Sequence, residues 1–176
     1  MKDALIEIIK NLKAISRNGT SDPNISEIDV DVRRLYGYPP FLRLVSDGIF
    51  GLIKSVDDKS GKKTTCVAAA GYGGVPLATA MSLQYHLNQS MIRTHPNEGA
   101  RSEWFEGHTP TEKDRVVIVE DSFSKGRSLA HIVDVVKDTG AEIIGYFVVL
   151  NRRKGSAEID VPVHYLIDSD ELEPFA

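Results

Sequence analysis

The chain has 176 residues, 41% of them hydrophobic and 26% charged, with a formal net charge of -4. That length suits one domain holding a full sheet with helices on both faces, and the composition is that of an ordinary soluble globule. The acidic balance argues against a general nucleic-acid binder, whose affinity needs clustered Lys and Arg, and no apolar run approaches membrane-spanning length. The single cysteine, Cys66, rules out an intrachain disulfide and lies in an apolar run, where packing explains it better than nucleophilic chemistry. With a charged, amphipathic start unlike a secretory signal, the cytoplasm is the expected setting.

Residues 2–16 place Leu5, Ile8, Ile9, Leu12 and Ile15 at helical spacing, with Gly19 as the expected stop. Residues 25–32 then alternate Ile28, Val30 and Val32 with Glu27, Asp29 and Asp31, the period of an edge or hood strand. Residues 1–38 therefore form a helix and hood ahead of the main body. Pro39 and Pro40 open a helix whose apolar face carries Phe41, Val45, Ile49, Ile53 and Val56.

From there the rhythm is strand, loop, helix. Residues 65–70 form a short buried strand, Gly71-Tyr72-Gly73-Gly74 a loop, 75–88 a helix and 90–93 a second strand. Residues 94–114 are a polar irregular connection, carrying His95, Arg101, Trp104 and His108, long enough to act as a lid over a bound ligand. Residues 115–119 are the third strand and 127–139 its helix, stopped by Gly140; 142–150 and 161–167 are the fourth and fifth strands, and the acidic tail is expected to fray. Alternating βα units specify an α/β fold: a Rossmann-like, mainly parallel five-stranded sheet with helices on both faces, in one domain. Ligands of such sheets sit at the carboxyl ends of the strands.

One stretch there carries chemistry. Val116-Val117-Ile118-Val119 run into Glu120-Asp121, then into Ser122-Phe123-Ser124-Lys125-Gly126-Arg127-Ser128 at a helix start. Unpaired N–H groups, the positive end of a helix dipole and serine hydroxyls suit a phosphate, while adjacent acids suit sugar hydroxyls or magnesium. The glycines of residues 71–74 either let backbone N–H groups approach an anion or let helix and strand pack closely, and sequence leaves both readings open. The five histidines never fall at metal-ligand spacing. Arg152, in the basic run 151–155, has the forked geometry that reads a carboxylate.

These residues resemble the type I phosphoribosyltransferase family, and within it the orotate branch, over about residues 28–155. Residues 116–128 are similar to its loop for 5-phosphoribosyl 1-diphosphate, and Gly-Tyr-Gly-Gly-Val-Pro-Leu-Ala at 71–78 to its pyrophosphate segment. Asp31-Val32-Arg33 and Asn151-Arg152-Arg153-Lys154-Gly155 resemble the Asp-x-Arg region and Asp-Arg-x-x-Gly turn of the orotate branch. The departures lie in the lid, with Thr94 for a lysine, Asn97 for the catalytic lysine and Gly99-Ala100 for a His-Gly pair, and in the loop, with Phe123 and Lys125.

The resemblance implies transfer of 5-phosphoribose to a nucleobase such as orotate, with Mg2+ as cofactor, in a homodimer. It implies roles for Glu120 and Asp121 on the ribose, Asp121 on the metal, residues 122–128 on the 5-phosphate, and Gly71, Tyr72, Gly73, Gly74 and Arg93 on the pyrophosphate. Arg152 would hold the base carboxylate, and Arg101 would replace the lid lysine. A second reading, motivated by Asn97, Phe123 and Lys125, is a sensor that binds a nucleotide or phosphoribosyl diphosphate without turning it over.

Overall fold

The computed structural model describes residues 1–97, 104–154 and 160–176, and of Arg127 and Ser128 the backbone only. The sheet has six strands in the order β5-β4-β3-β6-β7-β8. Five are parallel: β3 (Cys66–Ala70), β4 (Asn88–Ile92), β6 (Arg115–Phe123), β7 (Glu142–Asn151) and β8 (Val163–Asp168). The sixth, β5 (Phe105–Gly107), runs antiparallel along β4 and gives the expected irregular connection a strand of its own.

The central strands are apolar on both faces over residues 66–70 of β3 and 116–119 of β6 because both faces are covered. On β3 and β6, Val67, Ala69, Val117 and Val119 face a core shared with α1 (Lys2–Asn11), α3 (Pro39–Ser60) and α4 (Gly71–Tyr85). Cys66, Ala68, Val116 and Ile118 face the opposite core under α5 (Arg127–Lys137), which contributes Leu129, Ile132 and Val136. Cys66 is fully buried, and burial pushes its thiol up to about 11, so it stays protonated and inert.

Three local expectations are corrected. The first helix ends at Asn11, not Ser16, because Lys13 takes a left-handed φ of 50°. Lys13 N–H donates to Lys10 O and Ala14 N–H to Ile9 O, the Schellman pattern, so a lysine does the work expected of Gly19. The chain freed by that stop forms β1 (Ile15–Arg17), which pairs antiparallel with β2 (Ile28–Val30) as the hood. Beyond β2, Asp31 caps α2 (Val32–Leu35), so the alternating pattern is strand for only three residues.

The second correction concerns Gly71 to Gly74, which form the first turn of α4 rather than a loop. Third, the acidic tail does not fray. Residues Ser169–Phe175 form a 3-10 helix closed by a capping box between Asp168 and Glu171, with Leu172 fully buried and Lys2 paired to Glu171 at 2.6 Å. Leu172→Ala is therefore expected to destabilise the protein by about 2–5 kcal/mol, read by urea denaturation; a frayed tail would give no change.

The strand order makes the site. From β3 the chain goes through α4 to β4 on one side, and from β6, on the other side of β3, through α5 to β7. The direction of winding reverses between β3 and β6, and a crevice opens at that switch point outside the strands' carboxyl ends.

Candidate active site

A cleft of about 620 Å³ lies at this switch point, lined by Ala70, Gly71 and Gly73 from β3 and α4, and by Glu120 to Gly126 from β6 and the turn after it. The first N–H groups of α4 and of α5 lack partners within their own helices, so two helix N-termini flank one crevice. Strand β6 runs on to Phe123, four residues beyond the expected Val119, so the acidic pair sits on the rigid end of a strand and not in a loop. The expected loop reduces to Ser124, Lys125 and Gly126, whose φ of 72° supplies the turn into α5.

Glu120 is 9% exposed. Burial, then the neighbouring Asp121 carboxylate, push its carboxyl up to about 8, and burial raises Asp121 as well. Within the pair, Glu120 Oε1 accepts from Asp121 N–H at 3.2 Å, and Asp121 Oδ1 accepts from Ser122 N–H at 2.7 Å. Arg33 Nε stands 3.5 Å from Asp121 Oδ2. A buried and a half-buried carboxylate held side by side need a cation or hydroxyl donors to ionise together, so the protein stores at this point a demand for a ligand.

The stored demand has a pH signature. At low pH both folded and unfolded chains hold the Glu120 proton; between the ordinary value of 4.5 and about 8 only the folded chain keeps it, so stability falls as pH rises through that window. Glu120→Gln is expected to match the wild type at pH 4 and to exceed its stability by about 1–3 kcal/mol at pH 9, without ligand. Denaturation curves at the two pH values check this; a gap that does not widen with pH contradicts it.

Behind the pair stand two phenols. Tyr146 is buried, and Tyr36 has a buried hydroxyl with no hydrogen-bond partner among the described residues. Burial first, then the charge of the two acids, hold both phenols well above their usual range, so this wall stays neutral. Phe123 packs edge-on against Tyr146 with centroids 5.7 Å apart and is 4% exposed; it closes the wall and is not a side-chain phosphate ligand.

Of the two readings left open by sequence, close packing of helix and strand holds at Gly74, while Gly73 and Gly71 answer to other needs. A Cβ on Gly73 would collide with Glu120 Oε1 and come within 2.7 Å of Asp121 Cγ, so this glycine makes room for the acidic pair. A Cβ on Gly74 would stand 2.5 Å from Val119 O and 2.9 Å from Ala69 Cβ, so this one lets helix and strand pack. Gly71 has open space and a φ of 63°, a turn requirement.

Three nominated side chains are not brought to the cleft. Tyr72 points to solvent at 88% exposure. Arg93 pairs with Glu106 across β4 and β5, leaving Thr94 to line the cleft. Arg152 joins the hood: Nη1 pairs with Asp29 at 2.9 Å and Nη2 donates to Ser26 O at 3.0 Å, though its backbone N–H holds Phe123 O on the cleft wall. Arg101 and Gly155 lie outside the described residues, as do the side chains of Arg127 and Ser128.

Sequence reasoning gave no site role to Arg33, Tyr146 or His131, all of which line the cleft. Arg33 belongs to the Asp-x-Arg segment, where the signal was present. His131 falls four residues after Arg127 on α5, the same face as the helix start, and its Nε2 donates to Arg93 O at 2.8 Å. Tyr146 lies in an unbroken apolar strand and carries no sequence signal.

Comparison with known proteins agrees with this architecture. Residues 42–171 match the phosphoribosyl transferase domain family. The chain belongs to that family. Among its relatives is an orotate phosphoribosyltransferase of Pyrococcus furiosus, 32% identical over 160 residues, which span 90% of this chain and 85% of the relative. In fold it is similar to the orotate phosphoribosyltransferase of Aeropyrum pernix, with a TM-score of 0.75 at 24% identity over 97% of each chain. It is similar also to that of Mycobacterium tuberculosis H37Rv in complex with 5-phospho-alpha-D-ribosyl 1-diphosphate, with a TM-score of 0.70 at 22% identity over 98% of each chain. The type I phosphoribosyltransferase fold is thus the one expected, with a sixth, antiparallel strand added at its edge. No helix among the described residues is long and apolar enough to cross a membrane.

Proposed function

We propose that the protein transfers 5-phosphoribose from 5-phosphoribosyl 1-diphosphate to a nucleobase, with orotate as the base. The observation that carries this reading is the Glu120–Asp121 pair at the switch point, with Glu120 buried and Asp121 half-buried, set between two helix N-termini. Hydroxyl donors of a ribose meet the carboxylates, a 5-phosphate meets the N–H groups at the start of α5 with Ser124 and Lys125 beside it, and the diphosphate meets those of α4 at Gly71 and Gly73. Orotate follows from the relatives, which bear the name of that activity across nine-tenths of this chain.

A magnesium ion fits the donor set. Asp121 would hold it beside Glu120, and because no group of three or more Asp, Glu, His or Cys gathers among the described residues, diphosphate oxygens and water would supply the remaining ligands. When bound, the ion neutralises diphosphate charge. The residues themselves position and exclude. Glu120 and Asp121 orient the ribose, and the Tyr146–Phe123 wall keeps water from one side. The same reading makes the protein a cytoplasmic homodimer.

Release of pyrophosphate on mixing enzyme, phosphoribosyl diphosphate, magnesium and orotate tests the reading, with uracil and adenine as parallel acceptors. Turnover with orotate supports it. Turnover with another base alone would reassign the acceptor, and no release with any base at high enzyme concentration would reject transferase activity.

A further inference from the structure

Bond cleavage in this reaction leaves negative charge on the diphosphate, and the cleft must meet that charge with cations placed beforehand. Among the described residues, Lys125 and Arg33 are the fixed positive charges lining it. Lys125 sits in the turn before α5, at the phosphate end of the cleft. Arg33 comes from α2, across the acidic pair, and shares the lining with Gly71 and Gly73 at the start of α4.

The way Arg33 is mounted is unusual for a surface arginine. Its turn is anchored: Val32 and Leu35 are each 2% exposed, and Asp31 caps the helix by accepting from Arg34 N–H at 3.1 Å. Its guanidinium is loose. The side chain is 65% exposed, and its one partner among the described residues is Asp121, at an Nε–Oδ2 distance of 3.5 Å, too long for a good hydrogen bond. A forked cation with free Nη groups is thus held beside the carboxylate that receives the ribose, within reach of whatever leaves its anomeric carbon.

Resting on the transferase reading above, we infer that Arg33 is a catalytic residue that takes the charge of the departing diphosphate. The C1–O bond breaks with its electron pair going to the diphosphate oxygen, the base nitrogen's lone pair forms the C1–N bond, and the nitrogen's proton passes to solvent. As ribose hydroxyls occupy Asp121, the guanidinium exchanges that carboxylate for the diphosphate, where two parallel N–H bonds strengthen as charge develops. The diphosphate is then met from within the same chain, by a residue outside the 94–114 connection.

The test uses Arg33→Gln and Arg33→Lys in the full chain, with magnesium present throughout. R33Q is expected to lower kcat about 100-fold with little change in KM for the base, and R33K, which keeps the charge but not the fork, to recover only part of that loss. Calorimetric titration with pyrophosphate should show binding weakened about tenfold or more in R33Q, while ribose 5-phosphate binds R33Q as it binds wild type. Loss of ribose 5-phosphate binding in R33Q would instead mean that Arg33 acts only through Asp121, and an unchanged kcat or unchanged pyrophosphate affinity would equally overturn the inference. If wild type does not turn over orotate, the acceptor reading fails by itself. Arg33-dependent pyrophosphate binding would still support the assignment, and a wild type that binds no pyrophosphate would overturn both.

Discussion

Asp121→Asn is expected to lower kcat/KM by about 10²–10³-fold and to leave the thermal midpoint unchanged or slightly raised. The side chain keeps its size and can still accept from Ser122 N–H, so the end of β6 has no reason to move. What is lost is the charge that meets the metal and the ribose. Because burial and Glu120 already oppose the ionised form, removing one charge from the pair relieves the unliganded fold while disabling it. Steady-state kinetics and a melting curve on one preparation check both halves. An inactive variant that has also lost several degrees of stability would speak for a structural role alone.

Gly73→Ala and Gly74→Ala should separate activity from stability at neighbouring positions. The methyl of G73A meets the Glu120 carboxylate and Asp121 Cγ, and the least costly response is for those flexible ends to swing away. Activity is therefore expected to drop about 100-fold or more, with a stability change under about 1 kcal/mol. The methyl of G74A meets the Val119 carbonyl and Ala69 Cβ, which belong to the packed sheet. It should cost about 1–3 kcal/mol in stability, with activity falling less than in G73A at temperatures where the variant is folded. Equal effects of the two variants on both quantities would contradict this division.

The parts legible in sequence were those governed by local periodicity. Apolar runs announced β3, β6 and β7, and Pro39-Pro40 with a clean apolar face announced α3 from its first residue, with Gly61 as its left-handed cap. Where expectation failed, tertiary structure overrode a local rule. Lys13 accepted a positive φ because β1 could pair with β2, and β6 outran its apolar stretch because β7 pairs with it as far as Phe123 and Asn151. Leu172 ordered an acidic tail that composition alone would leave free.

The site was legible where chemistry is carried by backbone and carboxylates, at Gly71, Gly73 and Glu120 to Gly126, and much less so where long side chains choose their partners. Arg152 and Arg93 sit near the sheet's carboxyl edge as expected, yet Asp29 and Glu106 claim their guanidinium groups. An arginine's destination depends on which acid lies within its reach, and that is a property of the folded hood and of β5, not of spacing along the chain.

The central claim is that the crevice between the starts of α4 and α5 is a site for a phosphorylated ribose diphosphate, with Asp121 and Glu120 at its heart. Calorimetric titration of the wild type and Asp121→Asn with 5-phosphoribosyl 1-diphosphate and magnesium tests it most directly. Saturable binding of one ligand per chain, weakened about 100-fold in the variant, is the result expected. A wild type that takes up no ligand, or a variant that binds as tightly as wild type, would contradict it.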